Sequence, residues 1–397
     1  MAFNYEINQL ELMQARIKNV PHGWQFTYVG KAFSIRNNLR KPISEEERSM
    51  SPGNYPYYGP TKIQGYIGTY EQDGSYALIG EDGDHFLKFE KHSMTQLVDG
   101  KCTVNNHAHI IEGTKEASRE WFYYYFMHRD IFSFLSRQGA GRYKLNKESL
   151  EKMPLLLPPI AEQKKIAQIL STWDKAISVT EKLLVNSQQQ KKALMQQLLT
   201  GKKRLLDENG LRFSREWQKG SLSVFCNIVK GKALSASELV SGHYPVIAGG
   251  KSSPYSHFNY THENVVTVSA SGAYAGYVSY HKCKIWASDC SVISAKEGNL
   301  IQYFYQLLLS MQDKIYSLQS GGAQPHIYPK DLDSISILVP DVNEQQKIAA
   351  VLSAADAEIT TLEKKLACLK EEKKALMQQL LTGKRRVKVE VEDTVCA

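Results

Sequence analysis

The stretch KKALMQQLLTGK occurs twice in this chain of 397 residues, at residues 191–202 and again at residues 373–384. The two copies are identical and lie 182 residues apart. The match extends upstream without insertion or deletion, so that Glu162-Gln163 recurs as Glu344-Gln345. Repetition at a fixed offset indicates a tandem duplication, and the fold therefore has to be derived from two related halves.

Both copies carry apolar residues at alternating spacings of four and three, the seam of a coiled coil sustained over about five heptads. The seam residues are Ile166, Leu170, Trp173, Ile177, Leu184, Leu194 and Leu198 in the first copy, and Ile348, Leu352, Ile359, Leu362, Leu366, Leu369, Leu376 and Leu380 in the second. Lys191 and Lys373 fill one seam position each. Proline precedes each copy, and Gly201 and Gly383 follow, where glycine can end a helix in the left-handed conformation. The pattern predicts two helices of roughly 60 Å, at ~1.5 Å per residue.

Such a seam cannot remain exposed to water, so each helix needs a partner. The two helices can pair with each other, and the long segment between them makes an antiparallel pair easy to form. Spacing alone does not exclude a parallel pair. A homodimeric coiled coil, or packing of each helix on its own domain, are the alternatives.

The segments outside the repeats differ in kind from them. They are rich in Tyr, Gly, Ser, Val and Ile, and their short alternating runs, such as residues 265–271 and 334–339, predict strands of mixed α/β domains. A helix is predicted near the end of each segment, at residues 121–135 and 300–315. The predicted order is an N-terminal segment (1–21), a first globular domain (22–157), a first helical region (158–204), a second globular domain (205–340), a second helical region (341–388) and a C-terminal tail (389–397). The predicted fold class is α+β, with two long helices paired as an antiparallel coiled coil and a pseudo-two-fold internal repeat.

Composition is that of an ordinary globular protein, with 42% hydrophobic and 23% charged residues. No apolar run is long enough to span a membrane, the N-terminus lacks the features of a signal peptide, and six cysteines without a CxxC pair favour free thiols in a reducing cytoplasm. The net charge of +8 suggests an anionic partner. Its excess lies in the helical regions, since residues 160–204 carry nine Lys and Arg against three acids.

The order and spacing of these segments resemble the specificity (S) subunit of type I restriction–modification enzymes. The resemblance rests on PPIAEQKKIAQIL (158–170), VPDVNEQQKIAAVL (339–352), the helix-ending LLTGK of both copies, GGAQPHIYPKDL (321–332), and the tryptophan segments HGWQF (22–26) and REWQK (215–219). It covers almost the whole chain apart from the first 20 residues and the tail.

The resemblance implies a subunit without catalytic residues. Its two globular domains would be target recognition domains, each reading one half of a bipartite site in double-stranded DNA, mainly through the major groove. The helices would set the gap between the half-sites and dock two methyltransferase (M) subunits, which in turn hold restriction (R) subunits. S-adenosylmethionine and ATP would bind to those partners, and the chain itself would need no cofactor or metal.

Basic residues in predicted loops, close to Tyr, Asn or Ser, are the candidates for DNA contact, with a solvated surface as the alternative for any one of them. They are Arg36, Arg40, Lys41, Lys62, Lys230, Lys232, Lys251, Lys282 and Lys284. The basic ends of the repeats, at residues 202–204 and 384–386, complement the helix dipole and could also contact DNA or acidic groups of a partner. Because the recognition domains are nearly neutral, we expect the chain alone to bind DNA weakly.

Other motifs carry little chemistry. GGKSS (249–253) lacks the upstream glycine of a phosphate-binding loop, and His281, Cys283 and Cys290 lack a fourth zinc ligand. His107 and His109 lie on one face of a predicted strand. They could bind a metal, or they could be core or surface residues without a ligand. No hydrolase, metalloprotease or methyltransferase signature is present. The competing hypotheses are a stand-alone DNA-binding or scaffolding protein of the same architecture, and an enzyme with a site hidden in a globular domain.

Overall fold

A computed structural model describes residues 20–137, 141–250, 253–321 and 324–389 of the chain. It divides into two compact units. The first comprises the described residues up to 179 and those from 366 onward, and the second comprises those between 180 and 365. Both contain helices and sheets, which confirms the predicted α+β class. No helix in the described ranges is long and apolar enough to cross a membrane.

The strands of the first unit are β1 (Gln25–Tyr28), β2 (Ser34–Ile35), β3 (Pro52–Tyr58), β4 (Ile63–Ile67), β5 (Gln72–Gly80), β6 (Thr95–Val104), β7 (Ala108–Glu112), β8 (Ser136–Arg137), β9 (Tyr143–Lys144) and β10 (Pro154–Leu157). Six of them form one sheet in the order β2-β7-β5-β6-β3-β4, in which only the β3–β6 pairing is parallel. The antiparallel pair of β1 and β10 joins the start of the globular domain to its end. The chain thus enters and leaves this domain at one place.

The strands of the second unit are β11 (Gln218–Ser221), β12 (Cys226–Lys230), β13 (Tyr244–Ile247), β14 (Ser256–His257), β15 (Val265–Ser269), β16 (Val278–His281), β17 (Trp286–Ala287), β18 (Cys290–Ala295) and β19 (Ser336–Val339). They form a four-stranded sheet in the order β12-β18-β15-β16 and a three-stranded sheet in the order β14-β13-β17. The pair of β11 and β19 again joins entry to exit. Two globular domains of little sequence similarity therefore share one plan.

The helices are α1 (Val29–Ala32), α2 (Glu45–Met50), α3 (Arg119–Phe126), α4 (Lys147–Glu151), α5 (Ile160–Leu198), α6 (Leu222–Phe225), α7 (Ile301–Ser310), α8 (Gln312–Tyr316), α9 (Pro329–Asp333) and α10 (Val342–Leu380). Short 3-10 helices lie at Asn37–Leu39, Asp84–Lys88, Phe132–Phe134 and Gly272–Tyr274. The two repeats are α5 and α10, with 39 residues each. Gly201 and Gly383 follow them with φ of 71° and 68°, which confirms the predicted left-handed helix ends.

The structure confirms the positions of the helices predicted near the end of each globular domain, but both helices are shorter than predicted. In the first domain α3 ends at Phe126, because the carbonyl of Met127 accepts the Met94 amide at 3.0 Å and the chain turns towards the sheet. The Asp130 carboxylate then accepts the Phe132 amide at 2.9 Å and begins a 3-10 helix. In the second domain the predicted helix is divided into α7 and α8 at Met311.

Each unit has a core in which the globular domain packs on the start of one repeat helix and the end of the other. In the first unit the aromatic residues of α3, including Trp121 and Phe122, pack with Ile166 of α5 and Leu380 of α10. The second unit repeats this arrangement. There Tyr303 and Phe304 of α7 pack with Ile348 of α10 and Leu198 of α5. The predicted seam residues at the helix ends are thus core residues of the domains.

Candidate nucleic-acid interface

Each unit contains one buried glutamate of the repeat, bound by an arginine from the end of the other repeat. In the first unit the Arg386 guanidinium donates from Nε and Nη2 to the two oxygens of Glu162, at 2.7 Å each. In the second unit Arg204 binds Glu344 in the same two-pronged manner, at 2.6 Å each. Two parallel hydrogen bonds between a guanidinium and a carboxylate form a strong and directional ion pair. Both arginines thus bind this chain's own glutamates, while the contribution of these basic segments to the helix dipole and their contacts with DNA or a partner stay predictions.

A tryptophan from the start of each globular domain completes these groups. The indole of Trp24 donates to Glu162, and that of Trp217 donates to Glu344, both at 3.1 Å. We call the first set (Glu162, Arg386 and Trp24) and the second set (Glu344, Arg204 and Trp217) the junction clusters. Each cluster ties the start of a globular domain to both repeats. The tryptophan segments and the Glu of the duplicated Glu-Gln pair thus have a common role.

The glutamine beside each glutamate anchors the helix near the end of the globular domain. The side-chain oxygen of Gln163 accepts the amide of Ser118, the residue that caps α3, at 2.8 Å. Its amide nitrogen donates to the Glu116 and Pro158 carbonyls, at 2.7 Å each. A single buried side chain therefore bonds to three backbone groups of the first unit.

Gln345 makes the equivalent contacts in the second unit. Its oxygen accepts the amide of Leu300, the residue before α7, at 2.8 Å. Its nitrogen donates to the Pro340 carbonyl at 2.9 Å and to the Asn299 side chain at 3.2 Å. The two glutamines thus share the contacts to the residue before the helix and to the proline carbonyl, and differ only in the third partner.

The lysines that fill a seam position pair with aspartates of the other repeat. Lys373 lies 2.5 Å from the Asp174 carboxylate, which also accepts the Tyr124 hydroxyl at 2.8 Å. Burial, and then the negative charge of Asp174, raises the pKa of Tyr124, so its phenol remains a hydrogen-bond donor. Within the first unit α10 therefore runs antiparallel to α5, because Glu162 meets residue 386 while Asp174 meets residue 373.

The second unit holds the matching pair. Lys191 lies 2.5 Å from Asp356, whose other oxygen accepts the Gln306 side chain at 2.7 Å. The order of contacts is again antiparallel, since Glu344 meets residue 204 and Asp356 meets residue 191. A charged pair in an apolar seam fixes the register of two helices, because a shifted alignment buries both charges without partners.

Reversing one of these charges is expected to destabilise the first unit. Because Lys373 is largely buried and Asp174 is about one-third exposed, we expect Lys373→Glu to lower the free energy of unfolding by about 2 kcal/mol. The swapped double variant Asp174→Lys with Lys373→Glu should recover part of the loss. Urea denaturation measures both values, and Lys374→Glu, at the exposed neighbouring lysine, is the control. Equal losses for residues 373 and 374 would contradict a specific pair.

Two of the basic residues predicted to contact DNA, Arg40 and Lys41, form close ion pairs within the first unit. The Arg40 guanidinium binds Glu81 and donates to the Asn106 carbonyl at 3.0 Å. Burial raises the pKa of Glu81, but the hydrogen bonds from Arg40 and Lys144 and the nearby positive charge together outweigh it, so the pKa is below its usual value. Lys41 pairs with Glu71 and remains about half exposed. Arg40 therefore forms its contacts within its own domain, whereas the ammonium group of Lys41 remains accessible to solvent.

The other two candidates of this domain are more accessible. Arg36 is exposed and lies 3.6 Å from Glu112 in a pair open to solvent. Lys62 is exposed in the turn between β3 and β4, where its carbonyl accepts the Gly59 amide at 2.9 Å. Both side chains are free to move towards an anion, since exposed pairs contribute little stability. Their role in DNA contact stays a prediction.

Two of the candidate lysines in the second unit lie over aromatic rings. The Lys284 ammonium is 4.4 Å from the centre of the Tyr260 ring, and the Lys232 ammonium is 5.2 Å from that of Trp286. The hydrogen bond with Tyr260 raises the pKa of Lys284. Lys230 and Lys282 are exposed at the ends of β12 and β16. Lys251 lies outside the described residues.

The residues considered as metal ligands have other partners. His109 is buried; its Nε2 donates to the Leu145 carbonyl at 2.7 Å, and its Nδ1 accepts the Asn37 side-chain amide at 2.8 Å. His107 pairs with Asp82 at 2.8 Å. His281 contacts the Thr267 hydroxyl at 2.9 Å. The described ranges contain no group of three His, Cys, Asp or Glu that could hold a metal ion.

The chain matches known proteins over most of its length. A family model described as the type I restriction modification DNA specificity domain matches residues 21–186 and 214–371. A putative type I restriction enzyme specificity subunit of Haemophilus influenzae is 25% identical over 341 residues, which are 80% of this chain and 84% of the relative. A putative type I restriction enzyme specificity subunit of Methanocaldococcus jannaschii is 24% identical over 425 residues, with 94% and 96% covered.

A solved structure shares the fold. The S subunit of a type I restriction–modification system from M. genitalium aligns with a TM-score of 0.70, covering 93% of this chain and 98% of that chain at 16% identity. The names of the curated relatives are those of the specificity subunit and not of a catalytic subunit. The family resemblance predicted from the sequence is thereby confirmed.

Proposed function

This chain belongs to the family of type I restriction–modification DNA specificity subunits, and on that premise we propose how it recognises a bipartite site in double-stranded DNA. Each globular domain, at residues 22–157 and 205–340, reads one half-site. The observation that carries the proposal is the duplication of all three contact sets, the junction clusters, the buried glutamines and the seam ion pairs, in both units. One chain thereby carries two recognition domains that are attached to their helices in the same way.

The helical regions, at residues 158–204 and 341–388, act as the spacer between the half-sites. We propose that α5 and α10 pair along their length as an antiparallel coiled coil. The antiparallel order of ion pairs within each unit supports this, as do the seam residues, which are all buried or half-buried. A helix of 39 residues spans roughly 60 Å, enough to hold two readers about one DNA turn of ~34 Å apart.

Two methyltransferase subunits dock on the helical regions, and restriction subunits join through them. The two repeats match without gaps and share an identical stretch of twelve residues, so they present two related surfaces, which suits two copies of one partner. Methyl transfer, S-adenosylmethionine and ATP belong to those partners, in the cytoplasm. The nearly neutral recognition domains supply few phosphate contacts, so the assembled complex binds DNA more tightly than the chain alone.

Removing one heptad from each helix tests this function. Residues 177–183 and 359–365 lie between the two seam ion pairs, so deleting both keeps the seam in phase and retains the junction clusters. The spacer of the methylated sequence should shorten by about three base pairs, at ~1.5 Å per residue and ~3.4 Å per base pair, while both half-sites stay the same. The measurement is sequencing of methylated bases after reaction of the chain with its methyltransferase subunit.

The exposed-residue variant Lys182→Ala, within the same segment, is the control and should leave the spacer unchanged. The chain without a methyltransferase subunit should methylate nothing. Altered half-sites in the heptad variant would contradict the spacer role. Methylation by the chain alone would contradict the assignment of catalysis to a partner.

A further inference from the structure

A cluster of two tyrosines and a lysine lies on the first recognition domain. The rings of Tyr55 and Tyr70 are 5.0 Å apart between their centres and inclined by 59°. The Lys101 ammonium lies over the Tyr70 ring, 4.7 Å from its centre. Tyr70 is 40% exposed, and Lys101 is exposed. The cluster is therefore accessible to a ligand from solution.

The second recognition domain carries a cluster of the same composition and geometry. The rings of Tyr244 and Tyr260 are 5.2 Å apart and inclined by 57°. The Lys284 ammonium lies 4.4 Å from the centre of the Tyr260 ring. Tyr260 is again 40% exposed. We call the two groups the tyrosine–lysine clusters.

The first tyrosine and the lysine of each cluster occupy equivalent positions in the strand ladders. In the first domain Tyr57 of β3 pairs in parallel with Thr103 of β6, and the cluster residues Tyr55 and Lys101 each lie two positions earlier. In the second domain Val246 of β13 pairs in parallel with Trp286 of β17. Tyr244 and Lys284 again lie two positions before that pair.

The second tyrosine is also equivalent, by a backbone hydrogen bond. The residue after Tyr70 donates its amide to the carbonyl of Cys102, at 3.1 Å. The residue after Tyr260 donates its amide to the carbonyl of Ile285, at 2.9 Å. Each acceptor is the residue next to the cluster lysine. All three positions of the clusters therefore coincide, although the strands around them share little sequence.

The charge of each cluster lysine is available to an anion. Within the described ranges neither Lys101 nor Lys284 forms an ion pair with a carboxylate, unlike Arg40 and Lys41. Contact with a tyrosine raises the pKa of both lysines, so both are charged at neutral pH. A charged ammonium next to an exposed phenol offers a point charge and a hydroxyl donor, the two groups that proteins commonly direct at phosphate oxygens.

We propose that each tyrosine–lysine cluster binds a backbone phosphate of the half-site that its domain reads. The inference rests on the proposed function and adds which residues position the DNA. Contacts to phosphate orient a duplex but carry no sequence information, whereas contacts to base edges specify the sequence. Two domains that read different half-sites must differ in their base contacts, but they can keep one phosphate contact in common. A recurring cluster within diverged domains fits that requirement.

The test uses the complex of the chain with its methyltransferase subunit, and a duplex that contains the site which this complex methylates. Lys101→Gln and Lys284→Gln should each weaken binding about five- to tenfold near 0.15 M salt, and reduce the slope of log affinity against log salt by about one. The same two substitutions should weaken binding to a length-matched duplex of scrambled sequence by the same factor. Tyr70→Phe and Tyr260→Phe, which keep the ring and remove the hydroxyl, should weaken binding in the same uniform way.

Lys31→Gln and Lys330→Gln are matched controls, because these exposed lysines also lie over tyrosine rings but outside the recurring positions. If Lys101→Gln and Lys284→Gln behave like these controls, the inference is overturned. The same holds if they change which half-site is methylated. If the unaltered complex does not prefer the methylated site over the scrambled duplex, the proposed function itself fails, which separates the two outcomes.

Discussion

Replacement of Glu344 by alanine is expected to lower the free energy of unfolding by about 3–5 kcal/mol, because it leaves a buried cation without its anion. The carboxylate is fully buried and accepts two hydrogen bonds from Arg204 and one from Trp217. The Arg204 side chain is only 19% exposed and can recover little hydration when the carboxylate is removed. Urea denaturation followed by tryptophan fluorescence measures the loss.

The equivalent change Glu162→Ala should cost less, about 2–3 kcal/mol, because the side chain of Arg386 is 44% exposed and can be rehydrated. Replacing both Arg204 and Glu344 with methionine should recover most of the loss at that site, since no unpaired charge then remains. Glu363→Ala, at an exposed position of α10, is the control and should change stability by less than about 0.5 kcal/mol. A loss at Glu344 no larger than that at Glu363 would show that the junction cluster does not stabilise the unit.

The helices could be predicted from the sequence because their signals are local. Heptad spacing, a preceding proline and a following glycine together fix the two ends of a helix without knowledge of its partner. The strands at residues 265–269 and 336–339 follow from alternation in the same way. In contrast, the end of α3 depends on Met94, more than thirty residues away, and no local pattern reveals such a contact.

The roles of the repeated polar residues could not be predicted, because their partners are remote in sequence. Glu162 is visible as a duplicated residue, but Arg386, which binds it, is 224 positions away. Lys373 looked like an interruption of the seam, and only the fold reveals its partner Asp174. Likewise no local pattern reveals that Arg40, a candidate for DNA contact, binds Glu81 of its own domain. Loop geometry decides whether a basic side chain faces its own domain or solvent.

The crosswise pairing gives a physical reason why the contact residues are the same in the two repeats. Each copy supplies the glutamate of one junction cluster and the arginine of the other, and the seam lysines and aspartates are exchanged in the same way. A change at one of these positions therefore breaks a contact with the other copy and is not compensated within its own. Each globular domain packs its core on the helices of its own unit, so the surfaces of the two domains can differ from each other.

The duplicated glutamines provide the last prediction, since Gln345 bonds to three polar groups while being almost completely buried. We expect Gln345→Leu to cost about 3 kcal/mol, because leucine leaves the Leu300 amide and the Pro340 carbonyl buried without partners, at about 1–3 kcal/mol each. The protection of the Leu300 amide against hydrogen exchange should fall as well. A general loss of packing would instead lower the protection of many amides. Gln346→Leu, at the exposed neighbouring glutamine, is the control and should change neither measurement. Equal effects at residues 345 and 346 would mean that the side-chain amide does not hold the start of α7 to the repeat, and that the attachment of the second recognition domain depends on apolar packing alone.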